Sequence, residues 1–76
     1  MNIIKCRFLR DGEPYGKEYS YLTKQPVAVG DIVQAETQNG VADLVVTSTN
    51  VPLAEVEGFK HKLKYIIGKK PQESEG

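Results

Sequence analysis

The stretch Asp31–Thr49, DIVQAETQNGVADLVVTST, decides the fold. Val33 and Ala35 alternate with Gln34 and Glu36, and Ala42, Leu44 and Val46 alternate after the turn, with Asp43 on the opposite face. Period two places the apolar set on one side of a pleated, half-buried strand. Between the runs stands Asn39-Gly40. A type I′ turn needs positive φ at both central residues, and Asn-Gly tolerates that best. The stretch therefore predicts an antiparallel hairpin with one inward face. Val45 interrupts the alternation, so both faces are partly covered there.

Upstream, IIKCRFLR (3–10) repeats the pattern: Ile4, Cys6 and Phe8 point one way, Lys5, Arg7 and Leu9 the other. DGEPYG (11–16) is dense in turn formers. KEYSYLT (17–23) alternates again, with Tyr19 and Tyr21 on one face. These runs predict a first hairpin. In the connection KQPVAVGD (24–31), Pro26 cannot donate to a central ladder, and Gly30 can supply positive φ before the next strand.

Downstream, Pro52 starts a short apolar series, Leu53, Val56 and Phe59, spaced by three. This predicts one or two helical turns over 52–57, opened by Pro52 and weakened by Gly58. A last strand is expected over 63–67. Residues 1–68 then form one domain, and 69–76, without an apolar residue, form a disordered tail.

The sum is an all-β fold, a five-stranded antiparallel SH3-like barrel with one helical turn before the last strand. Closing so small a sheet removes exposed edges and lets the two tyrosines, Phe8, Val33, Leu44 and Ile66 meet. An OB-like barrel fits less well, because it needs a helix where only a tight turn stands.

Composition narrows the chemistry. The 76 residues carry ten basic and ten acidic side chains, which excludes a general nucleic-acid condenser. Cys6 is the single cysteine, and its strand position suits a buried small hydrophobe. No apolar run approaches the roughly 20 residues of a membrane span, and the charged start does not suit a secretory signal, so a cytoplasmic protein is expected. One Cys and one His do not make a metal site. Cys6, Ser20 or Ser48 could serve as nucleophile and His61 as base, but nothing in the sequence brings them together. The expectation is no enzyme, no cofactor and no small-molecule substrate.

Charge is distributed unevenly. FKHKLKYIIGKK (59–70) holds five lysines and the only histidine. If the first and last strands are neighbours, Lys5, Arg7, Lys60, Lys62 and Lys64 merge into one positive face. Glu36 and Asp43 on the second hairpin then form an acidic pole. Such a face would bind nucleic acid weakly, in a salt-sensitive manner, with Tyr15 or Tyr65 stacking on bases. The same lysines equally serve to solubilise an edge strand. A protein partner is the leading expectation for a compact barrel without catalytic groups.

The order of motifs resembles a group of small proteins of Gram-positive bacteriophages and integrated mobile elements. The resemblance rests on IIKCRFLRDGEPYGKEYSY, then VGDIV, a short NG hairpin, and NVPLAEVEGFKHKLKYIIG, and covers residues 3–69. It implies a viral or mobile-element origin and a small barrel, and it supplies no catalytic residue.

Overall fold

The computed structural model describes residues 2–58 and 63–70. The protein is mainly β: β1 (Asn2–Arg10), β2 (Glu13–Thr23), β3 (Ile32–Thr37), β4 (Gly40–Ser48), a single-turn helix α1 (Leu53–Val56) and β5 (Gly68–Lys69). The strands pair antiparallel in one sheet of order β2-β1-β4-β3-β5. The expected adjacency of first and last strands is not met. Both edges of β1 are occupied, by β2 along its whole length and by β4 over Lys5–Phe8, and the two-residue β5 pairs with β3.

The inward set follows the alternation. Ile4, Cys6, Val33, Ala35, Leu44, Val46 and Ile66 form the main core, with Phe8, Tyr21 and Val27 packed against it. Tyr19 shares this face but is half exposed, its ring meeting Phe8 edge-on at 5.3 Å between centroids. A second cluster lies on the opposite face of the β1–β2 ladder. Ile3, Val51 and Val56 are buried there, with Leu22 and Leu63 against them. Period-two reasoning assigns that face to solvent. Here α1 covers it instead, held by the Val51 N–H donating to the Ile3 carbonyl at 3.0 Å.

Turn chemistry differs from expectation in two places. Asp11 and Gly12 both have positive φ, 53° and 82°, the signature of the tight I′ turn. The first hairpin therefore turns on two residues, and β2 begins already at Glu13. Pro14 is accepted there because β2 lies at the sheet's edge in the strand order. At the second hairpin Thr37 pairs with Gly40, so Gln38 and Asn39 form the loop. Only Gly40 takes positive φ, 108°. Asn39 needs no left-handed conformation because the Thr37 hydroxyl accepts its N–H at 3.1 Å and donates to the Gly40 carbonyl at 2.8 Å. Gly30 does adopt positive φ, 98°, in a turn closed by the Asp31 N–H on the Ala28 carbonyl.

The C-terminal segment closes the sheet without being a strand over 63–67. Tyr65 forms a single parallel bridge to Leu22. The Leu22 N–H donates to the Lys64 carbonyl and the Ile66 N–H to the Leu22 carbonyl, both at 2.9 Å. On the other side the Ile67 N–H reaches the Gln34 carbonyl at 2.8 Å. One extended segment thus spans the seam between β2 and β3. The fold also runs past its expected limit at residue 68: the Lys69 N–H bonds the Gln25 side chain and the Lys70 N–H the Ile32 carbonyl. The rest of the expected tail, 71–76, lies outside the described residues. Among the described residues no helix is long and apolar enough to cross a membrane.

Candidate functional site

The expected basic face does not assemble from the described residues. Lys5 and Arg7 lie side by side on the outer face, since their neighbours Ile4 and Cys6 point inward. Each has a local acidic or backbone partner. Lys5 Nζ lies 2.8 Å from Glu55 Oε1, and this hydrogen bond and charge raise the ammonium above its ordinary pKa. Arg7 Nε donates to the Gly16 carbonyl at 3.1 Å, and Glu18 stands directly across the ladder. Lys64 faces elsewhere. Leu63 packs with the outer cluster, so the next residue projects to the other side, where Lys64 lines the open mouth of the sheet. Lys60, Lys62 and His61 lie outside the described residues.

The acidic pole is also absent in the expected form. Lys70 Nζ sits 2.8 Å from Asp43 Oδ2, and Gln34 Nε2 donates to Asp43 Oδ1 at 3.1 Å. Lys70 and Gln34 hold the Asp43 carboxyl below the ordinary aspartate range. Lys69 approaches Asp31 at 3.5 Å. Asp43, one of the two carboxylates expected at an acidic pole, is thus paired with a lysine of the basic C-terminal run.

What the fold does assemble is an aromatic mouth. Among the described residues a groove lies between β2 and the β3–β4 hairpin, with Leu63 and Lys64 also on its rim. Phe8, Tyr19 and Tyr21 line this groove of about 710 Å³, which is bounded across the gap by residues 36–39. Such a volume lies within the range of ligand-binding clefts. Burial raises the Tyr21 phenol above its ordinary pKa, with smaller contributions from Cys6 and Tyr19, so the ring is a neutral donor at the groove floor. Further out on the same hairpin Tyr15 is half exposed, with the Arg10 guanidinium 4.8 Å from its ring centroid. Tyr65 carries Lys24 Nζ at 5.2 Å in the same manner.

Alternation already placed Tyr19 and Tyr21 inward. It could not show that the core ends below them, because that depends on where the C-terminal segment crosses. The Cys6 thiol is fully buried and pushed up to about 12 by desolvation, with a smaller contribution from Glu18. At neutral pH it is not a thiolate and offers no nucleophile. Among the described residues no three His, Cys, Asp or Glu side chains gather as a metal site requires. The groove is therefore suited to recognition by shape and apolar contact. Compared with protein-family models, curated proteins and solved structures, the chain matches none.

Proposed function

We propose that this chain is a noncatalytic interaction module that binds a protein partner in the cytoplasm, of phage or mobile-element origin. The observation that carries the reading is the aromatic mouth. Phe8, Tyr19 and Tyr21 present rings at an open groove on a rigid ladder, and aromatic rings in concave, well-supported positions are what protein interfaces use as anchors. The ion pairs point the same way. Lys5 engages Glu55 and Lys70 engages Asp43, which removes them from a phosphate-binding face. The motif order quoted above supports the origin.

The test is affinity capture from host lysate with three baits: the wild-type chain, Tyr19→Ala and Lys5→Ala. The reading expects one protein retained by the wild type and by Lys5→Ala and lost with Tyr19→Ala. A parallel titration with single- and double-stranded oligonucleotides at low salt is expected to leave the spectrum unchanged. Oligonucleotide binding that weakens steeply with salt and with Lys5→Ala would replace this reading by the nucleic-acid one.

A further inference from the structure

Asn39-Gly40 marks the second hairpin, yet the turn does not use it as a left-handed pair. Its chemistry remains. The side-chain amide of an asparagine is open to attack by the backbone nitrogen of the next residue, which closes a five-membered ring. A glycine in that place favours the attack, because no Cβ crowds the nitrogen and the backbone bends most freely to bring it within reach.

The chain has three asparagines, Asn2, Asn39 and Asn50, and the fold treats them differently. Asn39 and Gly40 are both exposed at the tip of the β3–β4 hairpin. Among the described residues nothing lies within 4 Å of where a Cβ on Gly40 would stand. Asn2 and Asn50 instead precede the β-branched residues Ile3 and Val51, both buried in the outer cluster. The Val51 N–H donates to the Ile3 carbonyl at 3.0 Å, so the nitrogen that Asn50 would need is held there.

The register shows what restrains Asn39. The Gln34 carbonyl turns away from β4 to accept the Ile67 N–H, so Gln34 and Asp43 form a pair without ladder bonds. Alternation then makes Ala35–Ala42 and Thr37–Gly40 bonded pairs. The Gly40 N–H therefore donates the last bond of this ladder, at an end that frays at little cost. The Thr37 hydroxyl adds a second restraint, since it accepts the Asn39 N–H and donates to the Gly40 carbonyl.

We propose that Asn39 is a site of spontaneous self-modification, restrained by Thr37. When the Thr37–Gly40 pair opens, the Gly40 nitrogen loses its proton to solvent and attacks Asn39 Cγ. A new N–C bond forms and the bond from Cγ to the side-chain nitrogen breaks. Ammonia leaves, taking up from solvent a proton equivalent to the one lost by Gly40. Water then adds to one carbonyl of the cyclic imide and opens it. Opening at Cγ leaves aspartate. Opening at the backbone carbon leaves isoaspartate, which threads the loop backbone through its Cβ. Nothing is oxidised or reduced. Either product adds a carboxylate to a chain of zero net charge, at the end of the hairpin that already carries Glu36.

The test follows purified protein at pH 7 and pH 9 by peptide mapping, with protein in guanidinium chloride as the unfolded reference. Isoaspartate is marked by enzymatic methylation of its carboxylate. In the native protein, conversion at Asn39 is expected to outpace that at Asn2 and Asn50 by about tenfold or more and to be faster at pH 9. Thr37→Ala is expected to quicken the native reaction about two- to tenfold, as loss of the hydroxyl's hydrogen bonds implies, and to leave the unfolded rate unchanged. Native Asn39 still intact once the unfolded chain has converted would overturn the proposal. Equal conversion at Asn2 or Asn50 would do so too, as would aspartate without isoaspartate, which would mean direct hydrolysis. An unchanged native rate in Thr37→Ala would overturn the restraint assigned to Thr37.

Discussion

Cys6 and Asp43 show how the same strand pattern produces opposite electrostatic outcomes. Cys6 sits in the main core with no exposed surface, and desolvation makes its thiolate inaccessible. A thiol reagent at pH 8 is expected to leave the native protein unmodified and to react at once in denaturant, as followed by absorbance. Cys6→Ser is expected to cost about 1–3 kcal/mol in urea unfolding, because a hydroxyl there lacks a partner. Asp43 lies on the solvent side, where Lys70 and Gln34 favour its charged form. Its carboxyl is held low in the fold, so the stabilisation is present above the unfolded pKa of about 3.9 and is lost as pH falls through the lower folded value. Because the pair is exposed and screened, Asp43→Asn is expected to lower stability at pH 7 by less than about 1 kcal/mol. The difference should vanish near pH 2 in parallel melts. Both orientations were legible, Cys6 inward and Asp43 outward. The Lys70 partner was not, because it depends on how the chain returns to β3.

The two hairpins carry the same kind of signal and use it differently. Asp11-Gly12 adopts positive φ at both residues, while at the second hairpin the turn moves back by one residue onto Gln38-Asn39. The sequence marks both turns, but their registers depend on what else can satisfy the loop. Thr37 decides the second case by bonding Asn39 and Gly40. Asn39→Ala is therefore expected to change stability by less than about 0.5 kcal/mol, as for an ordinary surface position. Gly40→Ala and Gly12→Ala, both at positive φ, are each expected to cost about 1–2 kcal/mol. Urea unfolding of the three variants checks the ranking, and a costly Asn39→Ala would indicate the I′ turn instead. The helical turn before the last strand was readable from Pro52 and the apolar spacing. Its packing on the outer face was not, because Ile3 and Leu22 fall on positions that alternation assigns to water.

At the scale of the whole molecule, stability is divided between a long-laddered sheet and a short closure. β1 pairs along its whole length with β2 and over Lys5–Phe8 with β4, whereas among the described residues the seam is held by one bridge, the two-residue β3–β5 ladder, a few hydrogen bonds and the side chain of Ile66. That asymmetry was hidden in the sequence. The run from Leu63 to Ile67 has strand periodicity, yet only Ile66 is buried, and Ile67 is 61% exposed because the segment bonds one wall on each side in turn. Sheet closure and sheet formation should therefore be separable. Ile66→Ala removes the one core side chain supplied by the closing segment and is expected to cost about 2–5 kcal/mol. The loss should fall unevenly in native-state hydrogen exchange. Amides of Leu22, Ile66 and Ile67 are expected to exchange by a low-energy opening, while those in the β1–β4 and β3–β4 ladders exchange only by global unfolding. The wild type should show the same order with a smaller gap. Equal protection across the seam and the ladders would mean that the seam is as firmly built as the sheet.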